Sequence, residues 1–245
     1  MSQVFSKHSA FETMEGEGAR VKRLFPTQSL RNYDPFVLLD EFFVDSSAGF
    51  PTHPHRGFEA ITYMLQGSFR HQDNMGNDTT VTDGGVQRFT AGRGMSHSEM
   101  PMAEGVNHGF QLWINLAKSL KQIDPDYQQV DAREIPIRES EGLIIRTVVG
   151  EGSPVRLKTA IQYQDITMSR GKEHIIPIKQ GHVGFIYLFE GQLAINNEKC
   201  HPSEALFMDG STEIKVHTEG DTARFLLLSG LPHHEPIKQW GPYVD

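Results

Sequence analysis

Short apolar stretches alternate with polar, glycine-rich turns along the whole chain. EAITYMLQG, GSFRHQD, TTVTDGG, GFQLWINL, GLIIRTVVG, AIQYQDITMS, VGFIYLFEG, QLAINN and ARFLLLSG are each five to ten residues long. They are rich in Val, Ile, Thr and aromatics and end in Gly, Asn, Asp or Ser, which is the pattern of strands joined by tight turns. HQDNMGNDTT reads as a hairpin, with Gly76 free to take the positive φ of its turn. A helical period is weak everywhere; its best stretch, AKSLKQIDPDYQQV (117–130), is interrupted by Pro125. Many short strands at regular spacing predict an all-β protein of sandwiches or barrels with few short helices.

The strand pattern repeats. GFEAITYMLQG (57–67) aligns without gaps to GHVGFIYLFEG (181–191), matching Gly57 to Gly181, Tyr63 to Tyr187 and Gly67 to Gly191. Two copies of one β-barrel follow, with expected domains at 1–130 and 131–245 joined near 117–138. In that alignment His53 and His55 fall opposite Pro177 and Lys179, so only the first domain can hold a metal by those residues.

Composition narrows the class. At 245 residues the chain is long enough to bury two cores. A formal net charge of −8, with no run of Lys or Arg, argues against direct nucleic-acid binding. Cys200 is the only cysteine, so no internal disulfide can form. The amino-terminal residues hold no apolar signal core, and no apolar run approaches the length of a membrane span. These features predict a cytoplasmic protein without a membrane segment.

Chemistry concentrates in two places. Residues 50–59 read FPTHPHRGFE, and residues 91–101 read AGRGMSHSEMP. In a strand, residues i and i+2 share a face, so His53 and His55 point together, as do His97 and Glu99. Two such pairs on neighbouring strands can converge on one ion, giving three imidazoles and one carboxylate. That donor set admits Fe, Mn, Ni, Cu or Zn, and an octahedral ion would keep two positions for an oxygen substrate or for O₂. Glu59 keeps the parity of His53 and His55 and is expected as a supporting or acid/base carboxylate, with satisfaction by backbone amides as the plain alternative. His108 and Gln111 are read as buried, satisfied polar groups, His71 as a solvated hairpin residue, and Arg56 as a salt-bridge partner.

His53, His55 and Glu59, followed by Gly67 and then by Gly92, Gly94 and His97, resemble the two motifs of the cupin superfamily. The departures, Gly92 in place of proline and no Asn after His97, together with YDPFVLLDEF, FPTHPHRGFE, TAGRGMSHSEMP and HGFQLWINL, are similar to the signatures of one family, the pirins. The resemblance runs nearly end to end. It implies a bicupin fold with a mononuclear iron held by His53, His55, His97 and Glu99 in the amino-terminal barrel. It also implies quercetinase-type dioxygenase activity on flavonol- or catechol-like substrates with O₂; Glu99 or Glu59 is then expected as the catalytic carboxylate that takes the substrate's hydroxyl proton. The other implied function is a non-enzymatic, metal- or redox-responsive regulator that binds a protein partner.

Overall fold

The computed structural model describes residues 4–208, 213–218 and 220–245. Its chain forms two compact units, each an antiparallel β-sandwich. In the first, a seven-stranded sheet carries Asp126–Val130, Val86–Thr90, Phe58–Gln66, Val106–Asn115, Phe36–Asp45, Ala19–Phe25 and Phe11–Glu15 in that order. A four-stranded sheet carries Phe50–His55, Met95–Pro101, Ser68–Asp73 and Asp78–Thr82. The second unit repeats the plan. Val4–Ser9, Glu204–Met208, Val183–Glu190, Ala223–Gly230, Ile161–Met168, Leu143–Val149 and Ile137–Ser140 form the larger sheet. Glu173–Pro177, Glu213–Thr218, Leu193–Ile195 and Glu198–Cys200 form the smaller. Phe58–Gln66 and Val183–Glu190, the two strands of the sequence repeat, hold the same third place in their sheets.

The units are interleaved along the chain. One comprises residues 12–135, 154–159 and 233–245; the other comprises 1–11, 136–153 and 160–232. A single cut between 130 and 131 therefore differs from the observed division at both ends of the chain. The reason lies in strand pairing. Val4–Ser9 runs antiparallel to Glu204–Met208 and completes the second unit's large sheet. Asp126–Val130 takes the equivalent edge of the first by pairing with Val86–Thr90. The stretch read as weakly helical is a 3₁₀ turn at Lys118–Leu120 followed by that strand. The hairpin around Gly76 forms as expected, with Arg70 opposite Thr80 and Gly76 at φ +94°. Among the described residues no helix is long and apolar enough to cross a membrane.

Each sandwich is filled from alternate positions of its strands. In the second unit Ile166, Met168, Ile176, Ile186, Leu206, Val216 and Phe225 make a continuous apolar core. Burying such a side chain contributes about 1.5–3 kcal/mol. Among the described residues, two apolar clusters of the first unit stand apart from each other. Val21, Phe42, Met64, Phe69 and Val81 form one, and Phe58, Ala60, Phe89 and Met95 the other. Polar side chains and a cavity belong to this unit as well.

Candidate metal centre

The histidines are brought together by pairing of Phe50–His55 with Met95–Pro101. In that register His97 lies opposite His53, and Met95 opposite His55. The ring centroids of His53 lie 4.6 Å from those of both His55 and His97, and His55 and His97 are 4.9 Å apart. One nitrogen from each of the three rings lies within 4.8 Å of the others. Among the described residues this is the one group of His, Cys, Asp or Glu with that geometry.

Hydrogen bonds fix which nitrogen each ring presents. His53 donates through Nδ1 to the Pro51 carbonyl at 2.7 Å, and His55 donates through Nδ1 to the Pro242 carbonyl at 3.3 Å. A carbonyl can only accept, so both Nδ1 atoms carry the proton and both Nε2 atoms are left as bare donors for a metal. The Nδ1 of His97 faces a side chain, the Nδ1 of His71, at 3.2 Å. His97 Nε2 is buried and has no hydrogen-bond partner. A buried, orphaned imidazole nitrogen beside two others is what a divalent ion satisfies. Burial pushes the His55 pKa down to about 3, reinforced by the charge of His53, and burial likewise holds His97 well below its ordinary value. Both therefore remain neutral, the form that binds metal.

Glu99 sits on the same strand face as His97, two residues on, and is 3% exposed. Its Oε1 accepts from Thr62 Oγ1 at 2.7 Å and its Oε2 accepts from Gln111 Nε2 at 3.0 Å. Each oxygen retains further lone-pair capacity. Gln111, read from sequence as a buried polar residue, is thus the orienting partner of Glu99. His108 bonds Glu41 at 2.9 Å and stacks on Phe43.

Glu59 does not join this group. Glu59 would share the face of His53 only along one continuous strand, but the chain leaves one sheet at His55 and enters the other at Phe58. Gly57 makes that corner at φ +85°, where a Cβ would collide with the Val244 carbonyl oxygen. Beyond it Phe58 packs against His55 and Trp113, while Thr62, at the same parity, reaches Glu99. Glu59 points to the opposite face, fully buried. There its carboxylate accepts from Thr90 Oγ1 at 2.9 Å and from the backbone N–H groups of Lys158 and Thr159 at 2.9 Å each. The catalytic reading of Glu59 is replaced by an anchoring one.

His71 is also placed differently. It is 1% exposed, stacked on Tyr127 with centroids 4.2 Å apart, and bonded to His97 and Asp73. Strand alternation could have found it: His71 and Asp73 share a face of Ser68–Asp73, the strand beside His97.

The cluster opens on a cavity of about 810 Å³. Phe42, Phe50, Phe69 and Trp113 supply apolar walls, and His53, His55, Glu99 and Gln111 line it as well. Away from the histidines, Arg23 grips Asp40 through two hydrogen bonds of 2.9 and 2.7 Å. Burial nevertheless raises the Asp40 pKa to about 6, against the pull of Arg23. Ile237, Gln239 and Pro242 close another side.

Paired antiparallel sheets, duplicated along one chain with histidines gathered inside the first, define a bicupin whose first unit carries a cluster that could hold a metal. Family comparison agrees: residues 18–114 match the pirin model and residues 163–245 match the pirin carboxy-terminal cupin domain. The chain belongs to the pirin family. It is 41% identical to a pirin-like protein of Solanum lycopersicum, over 100% of this chain and 89% of that one. It is 38% identical to Homo sapiens pirin, over 95% and 84% of the two chains. The crystal structure of quercetin 2,3-dioxygenase from Acinetobacter baumannii superposes with a TM-score of 0.92 at 28% identity, covering 100% of this chain and 92% of that one.

Proposed function

We propose that this chain is a mononuclear metal protein that oxygenates flavonol- or catechol-like substrates in the manner of a quercetinase. His53, His55, His97 and Glu99 would hold the ion, and iron is the metal proposed. The observation that carries the reading is the set of three imidazoles, each offering one nitrogen within 4.8 Å of the others, beside a cavity of about 810 Å³. A cavity of that size falls in the range of small-molecule sites, roughly 300–1,000 Å³. It favours a substrate over a purely regulatory role for the ion. A neighbour named as a quercetin 2,3-dioxygenase, alike over the whole chain, supports the same substrate class.

When bound, the ion supplies a Lewis acid that lowers the pKa of a coordinated hydroxyl and a redox centre for O₂ chemistry. The chain's own residues do the rest. Glu99 accepts the hydroxyl proton of the substrate on an oxygen whose other lone pair is held by Thr62 or Gln111. Phe42, Phe50 and Trp113 offer planar faces for an aromatic substrate and keep water from its rings. Oxygen uptake by the iron-loaded protein with quercetin, followed together with loss of flavonol absorbance, tests the proposal. Metal-dependent consumption of both is expected. Equal, slow loss of quercetin in metal-free protein would reject it. Glu99→Gln should lower turnover more than flavonol binding, because the amide fills the space without serving as a base.

A further inference from the structure

The three histidines differ in what orients them. His53 and His55 lean on the backbone carbonyls of Pro51 and Pro242, whereas His97 leans on a chain of side chains. That chain begins at Asp73. Its Oδ1 accepts the backbone N–H groups of Met75 at 2.9 Å and Asn77 at 3.0 Å, and its Oδ2 accepts Asn77 Nδ2 at 2.8 Å and His71 Nε2 at 3.0 Å. Burial alone would raise its pKa, but these four donors outweigh that and hold it below the usual carboxylate value. The side chains of His71 and Asp73 are 1% and 0% exposed, and the His71 ring is held flat against Tyr127.

Proton positions then follow in one direction. The Asp73 carboxylate only accepts, so His71 carries its proton on Nε2 and presents a bare Nδ1. That bare Nδ1 accepts the Nδ1 proton of His97 at 3.2 Å. His97 is left with an unprotonated Nε2, the atom that is buried without a partner beside His53 and His55.

We infer that Asp73, acting through His71, is a positioning residue that sets the tautomer and ring orientation of His97 as a metal ligand. The inference deepens the metal-site reading above and rests on it. Outer partners of this kind typically change metal affinity 10–100-fold, because they fix the ligand and raise its basicity.

The test uses Co(II) alone, with affinity measured by competition against a chelating dye and the site read by the visible d–d spectrum. In Asp73→Asn the two backbone N–H groups keep Oδ1, so the amide nitrogen faces His71 Nε2. Two donors then meet, His71 moves its proton to Nδ1, and His97 must carry its own proton on Nε2. Asp73→Asn and His71→Gln should each bind Co(II) about 10–100-fold more weakly and with a changed spectrum. Wild-type affinity and spectrum in both would overturn the inference while leaving the metal site intact. So would a lowered melting temperature of the metal-free variants with the Co(II) spectrum unmoved, since that is the mark of a structural role. Failure of the wild-type chain to bind Co(II) would overturn the metal site and the inference together. Should Asp73→Asn not fold, His71→Gln decides by the same two readouts.

Discussion

Three donors converge on the Glu59 carboxylate, and two of them are backbone N–H groups of the segment 154–159. In Glu59→Gln the amide nitrogen would meet at least one of those donors head on, leaving a buried N–H unpaired at about 1–3 kcal/mol. A lower urea midpoint with unchanged metal content is therefore expected; a loss of metal with unchanged stability would restore Glu59 to the site. The two buried histidines give the metal-free protein a pH signature of a definite sign. His55 has a folded pKa near 3, far below its ordinary value of 6.5. Below pH 6.5 the unfolded chain takes up a proton that the folded chain refuses, so stability is present above that pH and is lost as pH falls toward 3. Urea midpoints of metal-free protein should fall between pH 7 and pH 5, and His55→Gln should flatten that slope. The convergence of His53, His55 and His97 was legible from spacing because His53 and His55 share one strand and His97 stands opposite them on the next. Glu59 was not, because Gly57 turns the chain between sheets, and His71 was not, because its role depends on which strand lies beside it.

At the scale of elements, the segment 233–245 borders the cavity of the first unit. Its two short strands, Gln239–Trp240 and Tyr243–Val244, pair with each other, and Lys238 and Asp245 exchange backbone bonds of 2.9 and 2.8 Å. The segment is fastened at the Gly57 corner. Val244 N–H donates to the Arg56 carbonyl at 2.9 Å, Arg56 forks onto Asp245 at 3.0 Å, and Lys121 Nζ donates to the carbonyls of both Gly57 and Val244 at 2.9 Å. Arg56 is thus the salt-bridge partner its sequence setting suggested. Lys121→Met removes the donor shared by corner and segment, so the Val244 amide should exchange about tenfold faster, which is about 1.4 kcal/mol of local stability. Unchanged exchange would assign the fastening to Arg56 instead. The long strands were readable because β-branched and aromatic runs bounded by glycine leave little choice. This segment was not, since EPIKQWGPYVD has no period and takes its shape from what it docks against.

For the molecule as a whole, the two units share a strand order but differ in what fills them. Where the first gathers His53, His55 and His97, the second packs Ile176, Ile214 and Val216 into a continuous apolar core. Pro177 and Lys179, the counterparts of His53 and His55 in the sequence repeat, offer no imidazole. Elemental analysis of gently purified protein should therefore give close to one metal equivalent per chain; two tightly held equivalents would refute the asymmetry. The duplication was visible in sequence through its most regular strand, but the interleaving was not, because edge-strand pairing across such separations leaves no local pattern.

That interleaving has a consequence for the order of events during synthesis. The histidines emerge from the ribosome early, yet Pro242, whose carbonyl sets the His55 ring, and Ile237 and Gln239, which wall the cavity, emerge only after the whole of the second unit. On the growing chain the histidine cluster thus lacks the carbonyl that orients His55 until residues 233–245 have been made. An ion held there would be fully enclosed only after the second unit has been made, although its histidines lie before that unit in the chain.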